Sequence, residues 1–234
     1  MAPSEPRPVP RARGVSAGAR LLALLGVLAA LTAAAVEAAA GSSLEPKLAI
    51  KPAVQAHARR IAVGLGDLPG FGWKAQPAQS DRASPRCTYY RPDQSKLTQN
   101  GQYTSPDFTR PDGLFVSSSV GIFRSAKQAR EAYALVARPE LARCLGESVV
   151  KSGKPGRITL RSAGRLAFPG HGDRSAAYRV VFSVKSGNQQ VPATIDIVAV
   201  NSGAVDVAMF FSSAGKPVPA SFERKIAAAV VARI

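Results

Sequence analysis

Residue types that carry common chemistries are scarce in this chain of 234 residues, which has two cysteines, two histidines and one tryptophan. Two histidines and one cystine cannot supply the four ligands of a structural zinc site. The chain has no G-x-S-x-G or H-E-x-x-H motif, and its carboxylates include no close pair on one helix or strand face. We therefore expect no metal, no other cofactor and no enzymatic activity, although a fold can bring distant residues together.

The two histidines lie in different predicted elements. His57 falls in a predicted helix, whereas His171 lies in the turn "FPGHGD". We interpret His171 and Asp173 as a polar hairpin turn rather than an acid/base pair.

The only long apolar run lies near the N-terminus and predicts a secretory signal. Residues 21–36 are mainly apolar, Ala38-x-Ala40 precedes Gly41, and the upstream segment is positive through Arg7, Arg11, Arg13 and Arg20. The run is short for a membrane span of roughly 20 residues. We expect residues 1–40 to be a cleaved signal peptide of a secreted or extracytoplasmic envelope protein, with an uncleaved signal anchor as the alternative. No cysteine stands near the cleavage position, which excludes a lipid anchor.

Export determines how the cysteines are interpreted. Cys87 and Cys144 would meet an oxidising compartment and are expected to form a disulfide. Its closed loop of some 58 residues would stabilise the fold by roughly 4 kcal/mol on the chain-entropy model. Residues 41–52 read as a polar lead-in, and 53–234 as a single domain.

Positive charge dominates. The net charge is +16, and without the predicted signal peptide 27 basic residues face 13 acidic ones. Such a surplus favours an anionic envelope component, namely a lipid headgroup or an acidic glycan, with peripheral membrane contact. A partner protein is a further possibility, nucleic acid is not expected in that compartment, and we expect a monomer. The alternative is a basic surface that is simply solvated.

Periodicity predicts an α+β fold. Alternation indicates about five to six strands in an antiparallel sheet: a short one at Trp73, then "LFVSSSVGIF", "RITLRSAGRLAF", "AAYRVVFSV", "VPATIDIVAV" and "AVDVAMFFS". Helices are expected at "AVQAHARRIAVGL", "SAKQAREAYALVA" with Ser125 as N-cap, "PELARCLG" and the C-terminal "SFERKIAAAVVARI". They should cover both faces of the sheet. Residues 77–113 look long and irregular.

One candidate binding feature is a basic stripe on a predicted strand. A period of two puts Ile158, Leu160, Leu166 and Phe168 on one face of "RITLRSAGRLAF". Arg157, Arg161 and Arg165 then line the other face, where guanidinium groups could hold phosphate or carboxylate. The alternative is an edge strand that its charges protect against aggregation.

The second candidate is "GQYTSPDFTRPDG", residues 101–113. We expect an ordered loop, because its Pro, Asp and Gly residues are typical of turns. Phe108 should point inward, and Tyr103 should be an exposed binding contact. The alternative is that the aromatic residues only cap the core.

The order of "DLPGFGW", Cys87, "LTQNGQYTSPDF", "VSSSVGIFRSAKQAREAY" and "CLGE" resembles small exported actinobacterial proteins related to the extracellular sensor domain of the kinase PknH and to LpqN-type lipoproteins. The resemblance implies a PsbP-like α+β arrangement and a sensor-like or ligand-binding role without catalysis. The kinase sensor has two disulfides and is attached to a kinase, whereas this chain has one expected disulfide and no kinase. The lipoproteins have a lipid-modified cysteine, which this chain lacks.

Together these features predict an exported, non-enzymatic envelope domain that binds an anionic or amphipathic ligand or a partner protein. The alternatives are an envelope hydrolase whose site is assembled only by the fold, and a purely structural interaction module.

Overall fold

The computed structural model describes residues 44–78 and 85–234. The predicted signal peptide at 1–40 and the expected start of the secreted chain at Gly41 lie outside the described residues. Within those two described ranges, no helix has the length and apolar character needed to cross a membrane.

One mixed sheet organises the described chain, with strand order β1-β3-β5-β9-β8-β7-β6; β4 also pairs with β5, and β2 with β4. The strands are β1 (Lys47–Leu48), β2 (Lys74–Gln76), β3 (Thr98–Thr104), β4 (Asp107–Thr109), β5 (Phe115–Phe123), β6 (Ile158–Leu166), β7 (Arg174–Ser186), β8 (Gln189–Ser202) and β9 (Val205–Ala214). Among the described strands, only β1 and β3 pair in parallel. The α+β class is confirmed, but the expected five to six strands were too few, since the described ranges hold nine.

Residues 77–113 were predicted to be irregular, and that prediction is wrong for 98–104 and 107–109, which are strands; residues 79–84 lie outside the described residues. Residues 101–113 are not one loop: β3 and β4 both pair with β5, and Ser105 and Pro106 turn between them. The Ser118 amide donates to Ser105 Oγ at 2.8 Å, which fixes this corner. β3 has the polar sequence "TQNGQYT" and lies near the edge of the sheet, where only the two-residue β1 pairs outside it. Most of its side chains are half-buried or exposed, so they need not be apolar. Phe108 points inward as expected and is buried.

Four helices flank the sheet: α1 (Pro52–Ile61), α2 (Ala126–Val136), α3 (Glu140–Ser152) and α4 (Ala220–Val231). Ser125 caps α2 by accepting a hydrogen bond from the Gln128 amide at 3.3 Å. α3 is longer than the predicted "PELARCLG", because Gly146 does not end it. A Cβ at Gly146 would lie 2.7 Å from Leu160 Cδ1, so this glycine lets α3 lie close against β6.

The helices divide between the two faces of the sheet, as predicted. α1 and α4 bury Ile61, Ile226 and Val230 against one face, hereafter the α1/α4 face. α3 and part of α2 pack on the opposite face, the α2/α3 face, where Leu141 and Val149 are buried. Cys144 of α3 is bonded to Cys87, with 5.8 Å between their Cα atoms, so the expected disulfide is present.

Candidate functional site

A cavity of about 670 Å3 lies between α2 and the α2/α3 face of the sheet. Tyr133 and Val136 of α2 form one wall, and the N-terminal segment contributes Glu45 and Leu48. This volume falls in the roughly 300–1,000 Å3 range of small-molecule sites.

Small side chains on adjacent strands make the floor of the cavity. Thr104 of β3 pairs with Ser119 of β5, Ser119 with Ala208 of β9, and Ala208 with Ala199 of β8. Cross-strand partners share one face of a sheet, so these four residues form a row under α2. Because none of them is large, the space between helix and sheet is not filled.

A second row beside the first carries polar groups. Following the register from β3 to β7, it contains Gln102, Gly121, Asp206, Asn201 and Arg174. Gly121 has no side chain, and Gln99 lies above it: a Cβ there would come within 2.6 Å of Gln99 Nε2. Asp206 therefore stands at the centre of the cavity floor, beside an amide group.

Asp206 is the ionisable group whose pKa responds most to this environment. Burial raises its pKa to about 7, and the hydrogen bond from Asn201 Nδ2 to Asp206 Oδ1, 2.7 Å long, opposes that rise. Asn201 is fully buried, and its Oδ1 accepts no hydrogen bond from a described residue. Of the described titratable side chains, Tyr133 of α2 interacts electrostatically with Asp206.

Amide side chains surround the rest of the cavity, namely Gln55, Gln94, Gln99 and Gln102. Glu45 is the second carboxyl group of the lining, and it forms an ion pair with Arg86 at 2.8 Å. No lysine or arginine belongs to the lining within the described part of the chain. The cavity therefore offers acceptors and neutral amides rather than positive charge.

The three arginines of the predicted stripe do not form one row. β6 is an edge strand, and its register shifts between Leu160 and Ser162 at a β-bulge. The bulge reverses the alternation, so Arg165 lies over the ring of Tyr178 at 5.8 Å on the α2/α3 face. Arg161 instead donates to Gln190 Oε1 at 3.1 Å.

The bulge also corrects the predicted apolar face of β6. Ile158 and Leu160 pack on the α2/α3 face, whereas Leu166 and Phe168 pack with the core of the α1/α4 face. Arg157 precedes the strand and is exposed. None of the three arginines lines the cavity.

Tyr103 lies on β3, at the far side of the sheet from the arginines. Four strands separate β3 from β6, which puts them about 24 Å apart at the usual strand spacing. Tyr103 is half-buried rather than freely exposed, and the Arg59 guanidinium lies 5.2 Å from the centre of its ring. Tyr103 pairs with Val120, so its ring lies on the α1/α4 face, and it only borders the cavity of the opposite face. None of the four predicted binding side chains therefore projects into the cavity.

Neither histidine lines the cavity. His57 Nδ1 lies 3.4 Å from Arg60 on α1, and the Asp173 carboxylate accepts a hydrogen bond from the Gly203 amide at 2.9 Å. Asp173 thus joins two turns. Across residues 44–78 and 85–234, no group of three or more His, Cys, Asp or Glu side chains could hold a metal ion.

Sequence reasoning missed the polar floor of the cavity. Asp206 stands in "AVDVAMFF" and Asn201 in "IVAVNS", where each interrupts an otherwise apolar strand. A buried polar group in such a strand needs a partner or a function, which is the signal that could have indicated the pair. The cavity itself also needed the register of β3, a strand that the sequence did not predict.

No family model matches the chain, and no curated protein matches its sequence. Among solved structures, it is similar to the extracellular domain of PknH from Mycobacterium tuberculosis, with a TM-score of 0.40 and 12% identity over 76% of this chain and 95% of that one. It is also similar to LpqN of the same organism, described as involved in cell envelope biogenesis, with a TM-score of 0.30 and 11% identity over 73% and 85%. The resemblance seen in the sequence is thus confirmed as a resemblance; similarity at this level assigns neither a family nor a function.

Proposed function

We propose that this chain is an exported, non-enzymatic envelope domain whose ligand site is the cavity under α2. The observation that carries the proposal is a continuous row of small residues across four strands, which leaves space beneath a helix. Asp206, next to that row, gives a ligand one central acceptor. A cavity with few convergent polar groups is a common form of binding site.

The lining favours a ligand that donates hydrogen bonds and carries no negative charge. Asp206 and the surrounding amides can accept hydrogen bonds from hydroxyl or amino groups. An anion would meet two carboxyl groups there and no cationic side chain of the described residues. The anionic partner suggested by the net charge is therefore a separate proposal, which belongs to the surface and not to this cavity.

The state of Asp206 should make binding depend on pH. Its carboxylate accepts hydrogen bonds from a ligand, and protonation removes that charge. Because the pKa is raised to about 7, we expect binding to weaken as the pH falls through 7. The variant Asp206→Asn should bind more weakly and should lose this pH dependence.

Mass spectrometry of small molecules that co-purify with the protein from its native host tests the proposal. Wild-type protein should carry a bound molecule, and Ser119→Trp, which fills the floor, should lose most of it. Ala134→Trp is the matched control, because Ala134 is an exposed residue of α2 outside the lining. Wild-type protein without a ligand, or a Ser119→Trp variant that retains it, would contradict the proposal.

The same experiment separates the alternative functions. A hydrolase of envelope material would release its molecule in cleaved form after incubation. An interaction module would retain a protein and no small molecule.

A further inference from the structure

A loop between α1 and β2 displays a phenylalanine fully to solvent. Phe71 is 97% exposed, and the glycines on both sides of it have positive φ angles, +87° at Gly70 and +84° at Gly72. L-residues rarely adopt such angles, so the two glycines set the shape of this tip. Leu65, in the 3-10 turn of the same loop, is 54% exposed. We call residues 64–74 the Phe71 tip.

Contacts of Trp73 with α4 and with Arg110, which follows β4, hold the tip from one side. Trp73 Nε1 donates to the Pro69 carbonyl at 3.1 Å, and its ring stacks on Phe222 of α4 at 5.9 Å. The guanidinium of Arg110 lies 5.1 Å from the centre of the Trp73 ring. Arg110 also forms a bidentate pair with Asp112, at 2.9 and 2.6 Å.

The C-terminal residues hold the tip from the other side. Arg233 donates to both oxygens of Asp67, at 2.7 and 2.9 Å, and to the carbonyls of Ile61 and Ala62. Asp67 also accepts a hydrogen bond from the Gly64 amide at 2.8 Å. Phe71 is therefore presented by a braced loop, and ordering it on a partner costs little conformational entropy.

The surroundings of the tip are positive. Asp67 in the tip and Asp112, the partner of Arg110, are each paired with an arginine. Five exposed cations belong to the tip, precede it in the chain or lie next to Phe222 in the sequence, and no ion pair of the described residues involves them. They are Lys74, Arg59, Arg60, Arg224 and Lys225.

The combination suits a lipid surface better than a protein partner. Two apolar side chains on a convex tip present far less than the roughly 800 Å2 per partner of a stable protein interface. Reversible binding to a bilayer requires a smaller apolar contact area. A few apolar groups that enter the membrane interface suffice when several cations also contact anionic headgroups.

We propose that the Phe71 tip docks the domain on an anionic lipid bilayer. Phe71 and Leu65 enter the boundary between headgroups and acyl chains, and the five cations face the headgroups. The site is distinct from the cavity under α2, and this docking does not depend on the cavity holding a ligand.

Co-sedimentation of the exported protein with vesicles tests the proposal. We would use phosphatidylcholine vesicles with about 30% phosphatidylglycerol, which resembles an anionic leaflet. Phe71→Ser should lower the partition coefficient by about tenfold, as expected for the loss of a largely buried phenyl group. Its melting temperature should stay unchanged, because the side chain makes almost no contact in the free protein.

Ile50→Ser is the matched control, since Ile50 is 44% exposed and lies beside Asn100, near the opposite end of β5. It should bind vesicles like wild type. Phe71→Trp should show a blue shift of its fluorescence with vesicles, above the background of Trp73, whereas Ile50→Trp should not. Equal binding of Phe71→Ser and wild type, equal losses in both serine variants, or equal binding to pure phosphatidylcholine would overturn the proposal.

Discussion

At the scale of single residues, three ionisable side chains form a buried group on the α1/α4 face. Arg179 donates to both oxygens of Asp196, at 2.7 and 2.6 Å, and lies 4.0 Å from Glu223 Oε1. Asp196 and Glu223 are fully buried. One arginine that is already committed to Asp196 cannot also satisfy Glu223. Burial, followed by the neighbouring Asp196 carboxyl, raises the pKa of Glu223, so that in the fold it holds its proton and can donate to Asp196.

We expect Glu223→Gln to stabilise the protein, and more so at higher pH. A carboxyl group whose pKa is raised by folding contributes full stability below its unfolded pKa of about 4.5 and loses it as the pH rises toward the folded pKa. Glutamine keeps a donor for Asp196 and never ionises. Urea unfolding at pH 5 and pH 8 should give a gain of roughly 1–3 kcal/mol at pH 8 and less at pH 5.

Glu131→Gln, on the exposed face of α2, is the control for the loss of one negative charge. A gain for Glu223→Gln that is the same at both pH values would show that Glu223 is ionised in the fold.

At the scale of elements, β6 combines an edge position and a bulge with two arginines, and Arg157 directly precedes it. Edge strands often carry charges and bulges that prevent pairing with another chain. Arg161 and Arg165 lie on opposite faces, which fits edge protection. Anion binding by Arg157, Arg161 and Arg165 stays a prediction, for which exposure is the structural support.

Replacing all three arginines by serine should weaken binding to acidic glycans if β6 is an anion site. The loss should shrink as salt rises, because screening already weakens the wild-type interaction. Surface plasmon resonance at low and high salt would measure it, with Lys185→Ser on the neighbouring strand as control. Unchanged binding and increased aggregation of the triple variant would assign β6 to edge protection.

The sequence predicts some elements well for a physical reason. β7, β8 and β9 are rich in apolar residues and meet at two-residue turns, where Gly187 and Gly203 take positive φ. β3 has no such pattern, since polar residues suffice for a strand with little of the core on its outer side. The bulge in β6 inserts one residue without any local signature, so Leu166 was assigned to the wrong face. The cavity depends on the register of β3 and so could not be predicted.

At the scale of the whole molecule, one disulfide closes a loop that contains much of the fold. Cys87 and Cys144 are 57 residues apart, and β3, β4, β5 and α2 lie between them. Next to Cys87, the buried Tyr90 donates its hydroxyl to the Val136 carbonyl at 2.8 Å. The crosslink therefore fastens the segment before β3 to the helices of the α2/α3 face.

The double variant Cys87→Ser/Cys144→Ser should lose roughly 4 kcal/mol of stability, because its unfolded chain regains the freedom of a long loop. Wild-type protein and the double variant should both be folded in buffer, and urea denaturation should show the loss as a lower midpoint for the double variant. Wild-type protein treated with a reductant should shift to the same midpoint. A midpoint equal to that of the oxidised wild type would mean that native contacts alone order the segment.

The N-terminal segment and the Phe71 tip lie at opposite ends of β5, which determines where a fluorescent protein can be fused. Leu44 bonds to Gln94 near the Phe123 end of β5, whereas Lys74, beside the Phe71 tip, is joined through Thr109 to the Phe115 end. The nine residues of β5 span about 30 Å between these poles. A fluorescent protein fused ahead of Leu44 would leave the tip unobstructed. The same tag after Ile234 would crowd it, because the neighbouring Arg233 is clamped to Asp67, and would mask any membrane docking in a localisation assay.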